Sequence, residues 1–378
     1  MKVVVTGSRG FIGRNLMARL RALGGNVIVP FDSDDSLDDL RAGLATADII
    51  YHLAGVNRPA DVHDFETANA GLTRSICAIL HELGRRPIIV MSSSVQAALE
   101  NPYGASKRRA EEALQEFAAA TGAAVSIYRL KNVFGKWCQP NYNSVVATFC
   151  HNIAHDLSIQ ISDAGREVEL VYVDDVVETF LSDLPGRAVD SRRDIPSYSL
   201  TLGDLAGRIQ SFHDMREHLR LPDFSVRFNQ QLYATYLSYV PPDSHRMQLD
   251  IRMDQRGGLA EFLKSSHCGQ LFVSRTRPGI TRGNHYHHTK AEKFFVVEGE
   301  GVIRMRPIDS PEVIEYKVRG EDFQVIDIPP GFTHSIENIG AGEMITLFWS
   351  SEIFDPDRPD TYFLPVFADV ASANAVSL

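Results

Sequence analysis

The chain has 378 residues, with 38 lysines and arginines against 48 aspartates and glutamates, a formal net charge of −10. That length suggests two domains, and the acidic balance argues against a nucleic-acid partner, so any anionic ligand is left to a local cluster of donors. No apolar run is long enough to span a bilayer, the N-terminus has no signal-peptide pattern, and Cys77, Cys138, Cys150 and Cys268 form no C-x-x-C pair. Together these features read as a cytoplasmic protein with reduced thiols and no membrane insertion.

The chain begins with "KVVVTG", a β-rich run ending at Gly7, followed by "GFIGRNLMARLRALGG", which has apolar residues at helical spacing and a glycine stop. "NVIVPF", "ADIIYHLAG", "RPIIVMSSS" and "AVSIYRL" are further buried-strand candidates, and "YGASKRRAEEALQEFAAATG" predicts a long helix. Strands alternating with helices predict an α/β doubly wound parallel sheet covered on both faces. Residues 185–240 read as mixed helix and loop capping this domain. After "SYVPPDSHRM" the texture changes to short alternating strands with close turn signals, which predicts an all-β sandwich or barrel. Pro241 and Pro242 disfavour regular structure, so the domains are expected at 1–243 and 244–378.

"TGSRGFIG" places Gly7, Gly10 and Gly13 between a strand and a helix, where glycines let the backbone approach a pyrophosphate that the helix N-terminus favours. The competing reading is a tight turn without a ligand; the strand before it and the amphipathic helix after it favour the nucleotide. In "YGASK", Tyr103 and Lys107 lie four apart and share a helix face. A nearby ammonium favours the phenolate and lowers the phenol pKa, and the lysine can also hold a ribose. The phenol then acts as an acid or base at a carbonyl or alcohol carbon. "MSSSVQA", at the end of the preceding strand, offers a serine hydroxyl to the same oxygen. A lone Y-x-x-x-K is usually a surface pair, but here three elements occur in the order a hydride-transfer site needs.

These motifs, with "HLAG" (52–55) and "VYVDDV", resemble an extended short-chain dehydrogenase/reductase acting on nucleotide sugars. The resemblance implies a Rossmann-type fold. It makes Tyr103 the general acid, Lys107 its pKa partner and ribose anchor, and Ser94 the carbonyl hydrogen-bond donor, with Ser93 the alternative. It places cofactor contacts at Gly7, Arg9, Gly10, Phe11, Ile12, Gly13, Asp32, Leu53, Ala54 and Gly55, beside Tyr103 and Lys107. The family's dehydratases carry an Asp–Glu pair after the catalytic hydroxyl; Val95 and Gln96 stand there, which disfavours dehydration. Asp32 points to NAD(H) and Arg9 to NADP(H); NADP(H) is expected because the inferred job is net reduction, with NAD(H) the alternative.

In the second half, Gly279, His285, His287, Glu292 and Gly299 are followed by Pro329, Gly331, His334 and Asn338. His285 and His287 share a strand face, and Glu292 and His334 would come from neighbouring strands. Three imidazoles and a carboxylate suit a divalent transition metal with an open position. The spacing resembles both motifs of the cupins, which are double-stranded β-helix (jelly-roll) proteins. It departs only at Gly320, farther upstream than the second motif's glycine. A metal-free cupin whose histidines touch only a sugar is the competing reading, and the complete ligand set favours a metal. Zinc is expected, with manganese, iron or nickel as alternatives. His288 and Lys293 read as solvated charges or proton carriers.

Together the halves resemble bifunctional capsular-polysaccharide enzymes of the CapF type, over nearly the whole chain, including "FGKWCQPNYNSVVATF" (134–149), "YATYLSYVP" and "FDPDRPDTYFLPV". The resemblance implies a cupin that epimerises C3 of a UDP-4-keto-6-deoxy-N-acetylhexosamine. The reductase domain then reduces C4 with NADPH to a UDP-N-acetyl-6-deoxy-L-talose-type sugar, a precursor of UDP-N-acetyl-L-fucosamine. It also implies a homodimer, a UDP-linked keto-deoxy-sugar substrate, and substrate contacts at Asn132, Asn141, Asn143, Ser144 and His288. Two rivals stand beside it: a C4 reductase whose cupin is a sensor or dimerisation module, and a GalE-like epimerase that retains NAD.

Overall fold

The computed structural model describes residues 1–59, 61–184 and 194–367. By their contacts these form two units, 1–211 with 231–242 and 212–230 with 243–378.

In the first unit the chain runs β1 (Lys2–Thr6), α1 (Phe11–Leu23), β2 (Val27–Phe31), α2 (Leu37–Leu44), β3 (Ile49–His52), α3 (His63–Phe65), α4 (Leu72–Glu82), β4 (Ile88–Ser94), α5 (Pro102–Thr121) and β5 (Val125–Leu130). The five strands form a parallel sheet in the order β2-β1-β3-β4-β5. Alternate residues serve opposite layers. Val3, Val5, Ile49, Tyr51 and Val90 pack with Leu16, Leu20 and Phe180 on one face. Val4, Ile50, Ile89 and Met91 pack with Leu40, Ile76 and Leu114 on the other. Burial of both faces is why these strands read as unbroken apolar runs. The strand order reverses between β1 and β3, and ligands of such sheets sit in the crevice outside the strand C-termini at that point.

The unit continues with β6 (Asn132–Phe134), α6 (Val145–Ala154), β7 (Glu167–Tyr172), α7 (Val173–Leu181) and β8 (Ser197–Thr201), the strands forming a separate three-stranded sheet. α8 (Leu202–Glu217) and α9 (Arg227–Leu237) follow. Of the stretch read as mixed helix and loop, residues 185–193 lie outside the described residues. The segment 212–230, assigned from sequence to a cap on the first domain, clusters with the second unit. There Leu219 O accepts from Lys264 N and Leu221 N donates to Lys264 O, both at 2.8 Å.

The second unit is antiparallel. It contains β9 (Ile251–Asp254), β10 (Gly257–Ser265), β11 (Gly269–Thr276), β12 (Thr281–Tyr286), β13 (Glu292–Glu298), β14 (Glu300–Pro307), β15 (Ile314–Arg319), β16 (Val325–Ile328), β17 (Phe332–Asn338), β18 (Met344–Ser350) and β19 (Tyr362–Phe363). Its sheets run β16-β13-β18-β11-β10-β9 and β15-β14-β17-β12-β19. Phe294, Val296 and Phe348 from the first pack against Ile303, Met305 and Ile336 from the second, the two-sheet arrangement that alternating apolar strands require.

Candidate functional site

The β1–α1 turn is built by exclusion. Gly7 has φ +69°, and a Cβ on it would come within 2.7 Å of Ala54 N. A Cβ on Gly13 would sit 2.0 Å from the Gly7 carbonyl oxygen. Helix and loop therefore touch backbone to backbone, which only glycine permits. Phe11 and Ile12 open α1, Leu53–Gly55 follow β3, and no side chain caps the helix, so its first N–H groups are left for a ligand. Gly13→Ala is expected to destabilise the chain by about 3 kcal/mol, the upper range for overpacking, and to weaken nucleotide binding; melting curves with and without nucleotide measure both.

Asp32 does not stand free. It accepts from Ser8 Oγ at 2.5 Å and from Arg9 N at 3.2 Å, and pairs with Arg9 Nε at 3.2 Å. Arg9 also bonds Asp34. A cavity of about 540 Å³ opens here between Ser8, Arg9, Arg14, Asp32 and Trp137.

Asn101 caps α5 by accepting from Gly104 N at 2.7 Å, with Pro102 opening the helix. A Cβ on Gly104 would lie 2.1 Å from the Gln96 carbonyl, so the first turn is pressed against the strand-end turn that carries Ser94. Tyr103, in that turn, has its phenol beside the Ser94 hydroxyl. One turn later Lys107 is buried, and its Nζ donates to the Ser92 carbonyl at 3.0 Å. Burial pulls Lys107 down to about 8, against the opposing pull of Glu111. The phenol corrects an expectation: burial pushes the Tyr103 pKa up and the Ser94 hydroxyl only partly offsets this, with no lowering from Lys107. A raised pKa keeps the phenol protonated, the state a general acid needs. Ser93 points elsewhere, donating to Glu111, which Arg129 grips with Nη2 at 2.6 Å. Of the two serines, then, Ser94 is the one at the phenol.

Three residues near this group had not been singled out from sequence. Glu111 is buried one turn beyond Lys107, and its helical spacing was the available signal. Asn69 lies in a π-helical turn, Glu66–Gly71, of a kind frequent at functional sites. Its Oδ1 accepts from Val56 N at 3.0 Å and its Nδ2 donates to Ser106 Oγ at 2.9 Å, tying the Gly55 loop to α5. His52 bridges Thr6 and Thr73 at 2.8 and 2.9 Å. Burial, then Lys107, pulls its pKa to about 3, so it is a neutral core histidine.

The expected substrate contacts are partly engaged in local structure. Asn132 Nδ2 donates to the Glu169 carbonyl at 3.0 Å, and Ser144 caps α6 by accepting from Ala147 N at 3.3 Å. Asn141, at φ +55°, donates its N–H to Thr148 Oγ1 at 3.0 Å, and Asn143 is exposed just before α6.

In the second unit, ligating atoms of His285, His287, Glu292 and His334 lie within 4.8 Å of one another. His285 and His334 are paired across β12–β17, and Glu292 opens β13 in the facing sheet. Two of the imidazoles bond a backbone carbonyl: His287 Nδ1 that of Asp360, and His334 Nδ1 that of Phe332 at 3.2 Å. A carbonyl only accepts, so for His287 and His334 the proton is on Nδ1 and Nε2 presents a lone pair. Those two Nε2 atoms and Glu292 Oε2 are buried without a hydrogen-bond partner, although Oε2 is 3.4 Å from His287 Nε2 and 3.0 Å from His334 Nε2. Acceptors facing acceptors at that range call for a cation, and the donor set fits a divalent metal. Without one, a proton takes its place. Burial pushes the Glu292 carboxyl up, but His287 and His334 outweigh it and hold it well below the usual range. Burial pulls His287 down, but the neighbouring Glu292 carboxylate and the Asp360 carbonyl raise it overall. Burial and then His334 pull His285 to about 4.

His288 corrects another expectation. Tyr286 pairs with Tyr362 and stacks on it at 5.3 Å, while His285 pairs with Phe363, so the two tyrosines occupy the face opposite His285. The His288 ring meets Tyr286 at 5.3 Å and Tyr362 at 4.9 Å, on that opposite face. Lys293 pairs with Asp327 on the surface.

Residues 3–186 match the NAD dependent epimerase/dehydratase family, and residues 252–362 the polysaccharide biosynthesis C-terminal domain. A UDP-2-acetamido-2,6-beta-L-arabino-hexul-4-ose reductase of Pseudomonas aeruginosa is 42% identical over 96% of this chain and 98% of its own length. The crystal structure of the capsular polysaccharide assembling protein CapF from Staphylococcus aureus superposes with a TM-score of 0.90 at 43% identity, covering 97% of this chain and 100% of that one. A UDP-glucuronic acid 4-epimerase of Bacillus cereus in complex with NAD shares the fold at 17% identity, with a TM-score of 0.54 over 64% of this chain and 96% of that one. Among the described residues, no helix is long and apolar enough to cross a membrane.

Proposed function

The chain belongs to the CapF-type family of capsular-polysaccharide enzymes, and from that membership we propose that it is bifunctional. The second unit epimerises C3 of a UDP-4-keto-6-deoxy-N-acetylhexosamine. The first reduces the C4 ketone with NADPH to a UDP-N-acetyl-6-deoxy-L-talose-type sugar. The observation that carries this reading is the four-donor cluster, for which a reductase alone has no use.

The chemistry is coherent. A proton α to a ketone can be removed when the developing enolate oxygen is stabilised, and its return on the other face inverts C3. His285, His287, Glu292 and His334 would hold a metal, zinc in our reading, which would supply Lewis-acid stabilisation of that oxygen. The ketone survives inversion and is then the target of reduction. Ser94 hydrogen-bonds the C4 oxygen, Tyr103 gives it a proton, and Lys107 holds the nicotinamide ribose. Following NADPH oxidation with the keto sugar tests the reductase half. Since Lys107 loses its proton as pH rises through about 8, kcat/KM for reduction is expected to fall on that side.

Arg9 supports NADPH. The acid that marks NAD in related sheets is here spent on the glycine loop and orients the guanidinium at the cavity mouth. Arg9→Ala is expected to raise KM for NADPH about 10–100-fold, the worth of a charged hydrogen bond, and to leave KM for NADH near its original value. An equal rise for both cofactors contradicts the assignment.

A further inference from the structure

Three candidates stand outside the chemistry above: the buried Glu111 carboxylate beside Ser93, the aromatic group of Tyr286, His288 and Tyr362, and a strap formed by residues 359–366. Of these, the strap is tied to a functional group at the most points. We infer that Asp360 is a positioning residue of the four-donor cluster, fixing the His287 imidazole and the loop behind it so that the site is preformed for a divalent metal. This rests on the reading of that cluster as a metal site.

Asp360 lies 73 residues from His287 in sequence and acts on it directly through its backbone carbonyl, which takes the Nδ1 proton. Its carboxylate binds the next three residues. Oδ1 accepts from His288 N at 2.9 Å; Oδ2 accepts from Thr289 N at 3.0 Å, Thr289 Oγ1 at 2.9 Å and Lys290 N at 3.2 Å. These bonds outweigh a burial effect in the other direction and hold the carboxyl well below the usual range. The residue has φ +40°, a conformation that aspartate and asparagine tolerate better than most. That turn lets one residue direct its carbonyl at the ring and its side chain at the loop.

The strap is held on both sides of this point. Lys290 Nζ donates to the Pro359 carbonyl. Asn284, next to His285, accepts from Leu364 N through its carbonyl at 2.9 Å and from Val366 N through its Oδ1 at 3.2 Å. Arg306 is buried and donates to the carbonyls of Pro365 at 3.2 Å and Val366 at 2.8 Å. His287 and the residue next to His285 are thus held by one distant segment. Partners that fix a ligand's tautomer and orientation typically contribute 10–100-fold in metal affinity.

The test uses the full chain. Zinc affinity is measured by chelator competition for the wild type, Asp360→Gly and Asp360→Asn. Glycine removes the carboxylate and keeps the positive φ without strain; asparagine keeps the turn and one acceptor oxygen. Affinity is a difference between loaded and metal-free protein, so a merely structural role cancels from it. Asp360→Gly is expected to bind zinc about 10–100-fold more weakly, with Asp360→Asn between it and the wild type. If Asp360→Gly fails to fold, Asp360→Asn alone carries the test, and weaker binding is still expected. Wild-type affinity in whichever variant folds overturns the inference. A wild-type chain that takes up no zinc instead overturns the metal reading beneath it.

Discussion

Tyr103→Phe in the full chain is expected to slow NADPH-dependent reduction of the C4 ketone by about 10²–10⁴-fold, the usual contribution of a positioned acid. The phenol lies beside the Ser94 hydroxyl, and burial raises its pKa, which favours its protonated form. Phenylalanine keeps the ring, including its contact with Phe65 at 5.8 Å between centroids, and removes only the hydroxyl. Nucleotide binding should therefore survive, since the ribose is assigned to Lys107. Exchange at C3, assigned to the other unit, should survive as well. Lys107→Ala separates the roles differently: it should weaken both NADPH binding and turnover. Undiminished NADPH oxidation by Tyr103→Phe would refute the assignment.

His287→Ala is expected to reduce bound metal from about one divalent ion per chain, the stoichiometry of such a ligand set, to a small fraction of that, and to abolish C3 exchange. The ring is buried, with Nε2 beside Glu292 and Nδ1 on the Asp360 carbonyl. Its loss removes one ligand of four and leaves His285, His334 and Glu292, the last two 3.0 Å apart. NADPH binding should be unaffected. Metal analysis and a nucleotide titration on the same preparation check both statements. Full metal content in the variant would show that His287 is not a ligand.

What could be read from the sequence is chemistry whose spacing is local. Gly7 and Gly13 lie within one turn, Tyr103 and Lys107 one helical turn apart, and His285 and His287 on one strand face. Those positions carry their geometry in the spacing, and the structure sets Gly13 against Gly7 and the His285 ring against that of His287. The rest depends on partners that spacing does not encode. Asp360 reaches His287 across 73 residues, and nothing in "DRPDTYF" indicates where its carbonyl points. The π turn around Asn69 leaves the helical pattern of its segment nearly unchanged. The sign of the Tyr103 shift does not follow from the nearby lysine because burial, invisible in sequence, outweighs the lowering by Ser94, and Lys107 contributes none. Asp32 and Arg9 read as opposing cofactor signals because each was taken alone; their contact makes one a support for the other. Strand alternation pointed His288 away from His285 and His287, but the cluster of three histidines in four residues masked that period.

The division of labour between the two sites is tested most directly by proton NMR of the UDP-4-keto sugar incubated with the full chain in D2O, with and without NADPH. The account predicts deuterium at C3 in both cases, and a single C4-reduced, C3-inverted product only when NADPH is present. Reduced product that keeps hydrogen and its original configuration at C3 would contradict it, leaving a C4 reductase with a non-catalytic second unit.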